Sequence, residues 1–126
     1  MSKKTLITAS VFGALAVAFG AFGAHGLKNL IAPDALTIWA KGVEYQFYHT
    51  FALLFVSQLT ESKWTRLAYG FFSFGILLFS GSLYLLATRT ITDISFVNII
   101  GPVTPVGGLL LIIGWILLLF SAIKSK

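Results

Sequence analysis

Few side chains in this sequence could do chemistry, and those that could lie at the edges of long apolar runs. Five of them are candidate ligand-binding residues: His25, Glu44, Tyr48, His49 and Thr104. Ionisable and polar groups near lipid are costly to bury and tend to face the interior of a helical bundle. The sequence therefore predicts that any binding site is a polar pocket at one end of such a bundle.

His49 is the most informative of these residues. It lies five positions after Glu44, which is about 7.5 Å along a helix axis, and apolar residues follow at once. An imidazole at this depth can carry a proton, ligate a metal or haem, or hydrogen-bond a headgroup or quinone-like ligand. The alternative is a neutral histidine that bonds to the backbone of a neighbouring helix. The sequence leaves both interpretations open.

Glu44 also has two interpretations. Lys41 lies three residues earlier, so the two side chains can pair on one helix surface. Alternatively, Thr104 and Pro105 predict a helix start with an N-cap followed by proline, and such a start offers free amides to an anion. Glu44, or an anionic ligand, would then occupy that helix start.

Catalytic and metal-binding patterns are weak. The chain has no Cys, which excludes thiolate ligands and cysteine nucleophiles. Two histidines and a carboxylate are acceptable metal ligands, but their spacing matches no known motif. A hydrolase built from Ser80 or Ser82 with His49 and Asp93 lacks the nucleophile elbow. We therefore predict no catalytic residue, no metal and no cofactor.

The elements that position the polar residues are predicted to be membrane helices. Of the 126 residues, 57% are hydrophobic and only 10% are charged, against about a quarter charged in soluble domains. Apolar runs near the roughly 20 residues that a membrane helix needs predict four spans in one domain, 1–126. These spans cover residues 5–24, 44–60, 67–88 and 104–123. The predicted fold is an all-α integral membrane bundle of four transmembrane helices, and nucleic-acid binding is excluded.

The basic residues predict the orientation, because cytoplasmic loops are richer in Lys and Arg. With four spans, the side that carries both termini holds Lys3, Lys4, Lys63, Arg66, Lys124 and Lys126. The opposite side holds Lys28, Lys41 and Arg89. We therefore expect both termini in the cytoplasm.

Two connecting segments carry further predictions. Pro33 and Asp34 indicate a helix start with Asp34 as N-cap, followed by an amphipathic segment over residues 34–43. This segment is expected to continue through Gly42 into the second span as one helix. The third loop, residues 90–103, is too apolar for water and should enter the interface or cap the bundle.

Small residues and aromatic residues complete the architecture. Close-packing faces are predicted from small residues at helical spacing: Ala16, Gly20 and Ala24 in the first span, and Gly107, Gly114 and Ser121 in the fourth. Interfacial anchors are expected at Trp39, Trp64 and Tyr69. A compact bundle follows from these patterns.

Four stretches of the sequence carry a family resemblance. They are GAFGAHGL at residues 20–27, GVEYQFYH at 42–49, GSLY at 81–84 and GPVTPVGG at 101–108. In this order they resemble the small bacterial inner-membrane proteins of domain-of-unknown-function family 423, also called uncharacterised protein family 0382, with the eukaryotic relative transmembrane protein 256. The resemblance implies a four-helix membrane protein and assigns no activity.

The predicted function is that of a multi-pass protein of the bacterial plasma (inner) membrane. We expect a non-enzymatic structural or accessory protein whose partners are the lipid bilayer and either further copies of itself or a larger membrane complex. The alternative is a protein that handles a lipid, a small ligand or an ion in an outward-facing polar pocket. An enzyme acting on a membrane substrate is the least favoured, because few polar groups are available to converge.

Overall fold

A computed structural model describes residues 1–92 and 97–125, and every regular element among them is a helix. The helices are α1 (Lys3–His25), α2 (Pro33–Gln58), α3 (Lys63–Ala87), α4 (Arg89–Thr92) and α5 (Val97–Ile123). The all-α prediction is thus confirmed for the described residues. Asp93, Lys126 and residues 94–96 of the predicted third loop lie outside them.

Three of the described helices are long and apolar enough to cross a membrane: α1, α3 and Asn98–Ile123 within α5. The remaining long helix, α2, has 26 residues but is more polar. Four of its polar side chains, however, are buried inside the protein: Gln46, His49, Thr50 and Ser57. The exposed ones are Asp34, Thr37, Lys41, Tyr48 and Gln58. This helix therefore presents a more apolar outer surface than its composition suggests.

The long helices pack side by side in chain order. α2 lies between α1 and α3, and α5 packs against α3. Neighbouring helices run antiparallel: the Ser2 amide donates to the Ser57 carbonyl at 2.8 Å at one end of the α1–α2 pair, and Trp39 bonds to Phe19 at the other. Short connections between consecutive helices make this arrangement natural.

Glycines set the spacing between α3 and α5. A Cβ at Gly107 would clash with the Phe79 backbone nitrogen, and one at Gly114 would lie 2.7 Å from the Phe72 ring. On the facing helix, a Cβ at Gly75 would lie 2.6 Å from Leu111. The predicted close-packing face of the fourth span therefore meets its own chain through Gly107 and Gly114. Such contacts are the main source of helix association in lipid.

The corresponding face of α1 packs against α2. Ala9 and Ala16 are fully buried, and a Cβ at Gly20 would lie 3.5 Å from Val43. Ala24 is exposed and takes no part in this contact within the chain, and Gly23 is the residue that lies under the Trp39 ring. The buried positions follow a spacing of three and four residues, which turns the face away from Ala24.

The buried residues form two apolar clusters. The larger includes Phe12, Leu53 and Phe72 and lies towards the end that carries the chain termini. The smaller contains Leu27, Ile31, Trp39 and Ala87 near the opposite end. Trp39 is only 7% exposed, so its predicted role as an interfacial anchor is wrong.

The predicted start of the second long helix is also wrong. The second long helix begins at Pro33, with Ala32 rather than Asp34 as N-cap, because the fixed φ of proline suits the first helical position. Asp34 falls in the first turn and accepts a hydrogen bond from the Ala35 amide at 3.0 Å. The prediction that the segment continues through Gly42 as one helix is confirmed.

Thr104 does not begin a helix. α5 starts at Val97 and runs through Pro102 and Pro105, so residues 97–103 are helix rather than loop. Each proline removes one backbone N–H, but burial of Ile100 and the close contact of Gly107 with α3 hold these turns in place. Glu44 and an anionic ligand therefore have no helix N-terminus to occupy at Thr104.

Candidate functional site

Gln46 links three helices at the centre of the described structure. Its side chain is 3% exposed, and its Nε2 donates to the Phe12 carbonyl of α1 at 2.8 Å. The Tyr84 hydroxyl of α3 donates to Gln46 Oε1 at 2.6 Å. Both ends of the amide are thereby paired with groups on other helices.

Two more hydrogen bonds between helices lie on the N-terminal side of Gln46 along α2. The Trp39 indole N–H donates to the Phe19 carbonyl at 2.8 Å. Ser80 donates to the Gly42 carbonyl at 2.7 Å. Gly42 is needed at this crossing, because a Cβ there would lie 2.8 Å from the Tyr84 ring.

His49 uses both ring nitrogens inside the protein. Its Nε2 lies 3.0 Å from the indole nitrogen of Trp115, which can only donate, so Nε2 is the acceptor. Its Nδ1 lies 2.7 Å from the Tyr45 carbonyl and therefore carries the proton. Phe72 packs against the imidazole at a ring separation of 5.8 Å. The hydrogen bonds define a neutral Nδ1–H tautomer.

This pairing bears on the functions proposed for His49. A metal, a haem iron or a transferred proton would need the Nε2 lone pair, which Trp115 occupies. Using His49 in any of these ways would break the bond between α2 and α5. The geometry matches the structural interpretation, in which a neutral histidine joins two helices. The backbone carbonyl that His49 bonds, however, belongs to its own helix.

Thr104 is likewise paired with a neighbouring helix. Its hydroxyl lies 2.6 Å from that of Ser82, which also donates to the Phe79 carbonyl at 2.8 Å. Because Ser82 uses its proton on Phe79, Thr104 is the donor in the pair. Thr104 therefore connects α5 to α3.

Glu44 and Tyr48 lie on the outer surface of α2, one turn apart. The Glu44 carboxylate pairs with Lys41 at 3.1 Å, with side-chain exposures of 54% for the lysine and 43% for the glutamate. The hydrogen bond and charge of Glu44 raise the pKa of Lys41 above its ordinary value. Tyr48 is 49% exposed. The structure matches the interpretation in which Glu44 pairs with Lys41 on the helix surface.

The five predicted residues do not share one cavity. His25 is the exposed last residue of α1, and no group of three or more His, Asp or Glu side chains comes together among the described residues. Only Glu44 and Tyr48 share a face. His49 and Thr104 contact separate partners.

Sequence reasoning missed three residues that form hydrogen bonds between helices. Trp115 pairs with His49, and Gln46 pairs with Tyr84. A signal was available for each, since all three carry a polar atom within an otherwise apolar run. Trp115 in particular lies in the middle of the fourth predicted span rather than at an interface, where tryptophan is usual.

Known proteins resemble this chain over most or all of its length. A family model described as "Protein of unknown function (DUF423)" matches residues 19–108, from α1 to α5. The chain belongs to this family. A UPF0382 membrane protein of Haemophilus influenzae is 44% identical over 100% of this chain and 98% of its own length.

Other DUF423 relatives give the same result. UPF0382 membrane proteins of Staphylococcus saprophyticus and Bacillus subtilis are each 40% identical, over 97% of this chain and 98% of the relative. The resemblance seen in the sequence is confirmed, and the relatives are named as membrane proteins. No solved structure matches the chain.

The His49–Trp115 pair leads to a first prediction. Nitrogen-15 NMR of His49 should show the Nδ1–H tautomer, and added Zn²⁺ should leave its signals unchanged. Trp115→Phe removes the donor and should lower the free energy of unfolding by about 1 kcal/mol. Trp64→Phe is the control, because the structure gives its indole N–H no partner among the described residues. An Nε2–H tautomer, or equal effects of both variants, would contradict the assignment.

Proposed function

We propose that this DUF423 protein is a non-enzymatic structural or accessory protein of the bacterial plasma membrane. The observation that carries the proposal is that three of its membrane-depth polar side chains hydrogen-bond within the protein. Gln46, His49 and Thr104 each hydrogen-bond to another helix of the same chain. Such groups stabilise a bundle, and they are not free to bind or transform a substrate.

We propose further that the chain crosses the membrane four times. α2 has 26 residues, or about 39 Å of helix at 1.5 Å per residue, which exceeds a hydrocarbon core of about 30 Å. Its central polar residues face the bundle, and Phe51 and Phe55 face outward with exposures of 59% and 58%. These features suit a span that is shielded by its neighbours.

The proposed orientation has both termini in the cytoplasm. The antiparallel packing brings Ser2 beside Ser57 and Trp64 beside Phe120, so that the two termini and the α2–α3 connection share one end. That end carries Lys3, Lys4, Lys63, Arg66 and Lys124. The excess of positive charge supports a cytoplasmic location.

Single-cysteine labelling tests the four-span topology cleanly, because the natural chain has no Cys. In spheroplasts, Lys28→Cys and Thr90→Cys should react with a membrane-impermeant maleimide. Glu61→Cys and Ser125→Cys should react only after permeabilisation. If α2 did not cross, the pattern would change: Glu61→Cys and Ser125→Cys would be labelled from outside and Thr90→Cys would be protected.

The accessory role is tested by isolating the protein with its surrounding membrane in polymer nanodiscs. We expect the wild-type protein on a native gel to migrate as an assembly larger than one chain. Glu44→Gln should leave the assembly and the yield unchanged, because Glu44 pairs only at the surface. A single chain in the nanodisc would contradict the proposal. Loss of a small molecule in a folded Glu44→Gln variant would favour the ligand-handling alternative.

A further inference from the structure

An open groove of about 710 Å³ lies between the last turns of α1 and the first turns of α2, at the end opposite the termini. The α1 wall contains Gly20, Gly23 and Ala24, so it is mostly backbone and Cβ atoms. The α2 wall presents the apolar side chains Leu36, Ala40 and Val43 and the edge of Trp39. The groove is therefore lined mainly by apolar groups, and Thr37, Lys41 and Glu44 are the polar residues of its α2 wall.

The mouth of the groove is charged. Lys28, just beyond the end of α1, marks this mouth, whereas Lys41 and Glu44 lie deeper, on the α2 wall beside Val43. Lys41 pairs with Glu44 at 3.1 Å, so the three charges sum to one net positive charge, which Lys28 supplies. A cation beside an apolar groove is complementary to an amphiphile with a negative head.

The groove also has the direction that such an amphiphile needs. Its apolar floor extends from the mouth at Lys28 to Gly20 and Val43, which lie closer to the middle of the helices. Below this point, Phe47 and Phe51 pack together along α2 at a ring separation of 5.9 Å and continue the apolar surface. A molecule with a charged end at Lys28 would thus extend its apolar body along the helices.

Two other classes of occupant fit these features less well. A soluble anion would gain nothing from the apolar walls. A helix from another protein would fill the groove, but it would have no need of a net positive charge at the mouth. Lipid is also the molecule that surrounds this surface if α1 and α2 span the membrane, so the inference rests on the proposed four-span topology.

We propose that this groove binds one anionic glycerophospholipid from the leaflet opposite the termini. Its phosphate pairs with Lys28, and one acyl chain lies between Gly20 and Val43. This goes beyond the structural role proposed above, because it assigns a specific ligand to one surface. The bound lipid would fill the gap between the helix ends of α1 and α2.

Native mass spectrometry tests this on protein from nanodiscs that contain equal amounts of phosphatidylglycerol and phosphatidylcholine. The wild-type protein should retain one phosphatidylglycerol. Lys28→Gln should lower that retention about fivefold, the ratio that one lysine contributes near an anionic headgroup. Lys63→Gln, at the other end of the bundle, is the charge control and should retain the lipid.

A second pair of variants tests the groove itself. Ala24→Phe places a ring in the groove from an exposed position and should abolish retention, whereas Ala18→Phe, exposed on the same helix outside the groove, should not. Equal retention by all variants, or equal retention of both lipids, would overturn the proposal. Disruption of an assembly by Ala24→Phe without any bound lipid would overturn it in favour of a protein partner. None of these outcomes would change the result of the topology labelling.

Discussion

The pairing of Gln46 with groups on two neighbouring helices is the interaction on which the rest of the bundle depends. Lipid offers no hydrogen bonds, so a buried amide in a membrane helix must find its partners in the protein. Gln46 does so with the Phe12 carbonyl on one side and the Tyr84 hydroxyl on the other. These two bonds fix α2 between α1 and α3 and set its rotation, since turning the helix would leave both ends of the amide unpaired. Leaving such a group unpaired costs about 1–3 kcal/mol.

The remaining contacts follow from this placement. With α2 oriented by Gln46, His49 faces α5 and meets Trp115, while Gly42 lies against the Tyr84 ring and lets Ser80 reach its carbonyl. The apolar helices can then close around α2, because glycines at their contacts remove the side chains that would hold the backbones apart. The most polar long helix thus turns Gln46, His49, Thr50 and Ser57 into the protein. The Lys41–Glu44 pair is a charged feature of the outer surface, and it lies on the wall of the groove.

The sequence predicts the elements of this structure well but not the contacts between them. Long apolar runs indicate membrane helices because burial in lipid demands internal backbone bonding, and residues with small side chains mark close contacts, as at Gly107 and Gly114. Hydrogen bonds between helices are harder to predict from the sequence. A donor such as Trp115 and an acceptor such as His49 are 66 residues apart, and no local pattern connects them. The Thr104–Pro105 pattern is a genuine local signal for a helix start, and tertiary packing against α3 overrides it. Likewise, the similar depth of the polar candidates leaves open whether they form one site, and helix rotation points them in different directions.

A double-mutant cycle on Gln46 and Tyr84 tests the central claim most directly. Gln46→Met and Tyr84→Phe keep the approximate volumes and remove the amide and the hydroxyl. The free energies of unfolding of the wild type, both single variants and the double variant are measured in the same mixed micelles. If the pair orients α2, the two changes are coupled by about 1 kcal/mol, within the range known for hydrogen bonds between membrane helices. If the effects simply add, to within about 0.3 kcal/mol, the buried polar groups do not organise this bundle and the structural role assigned to them is contradicted.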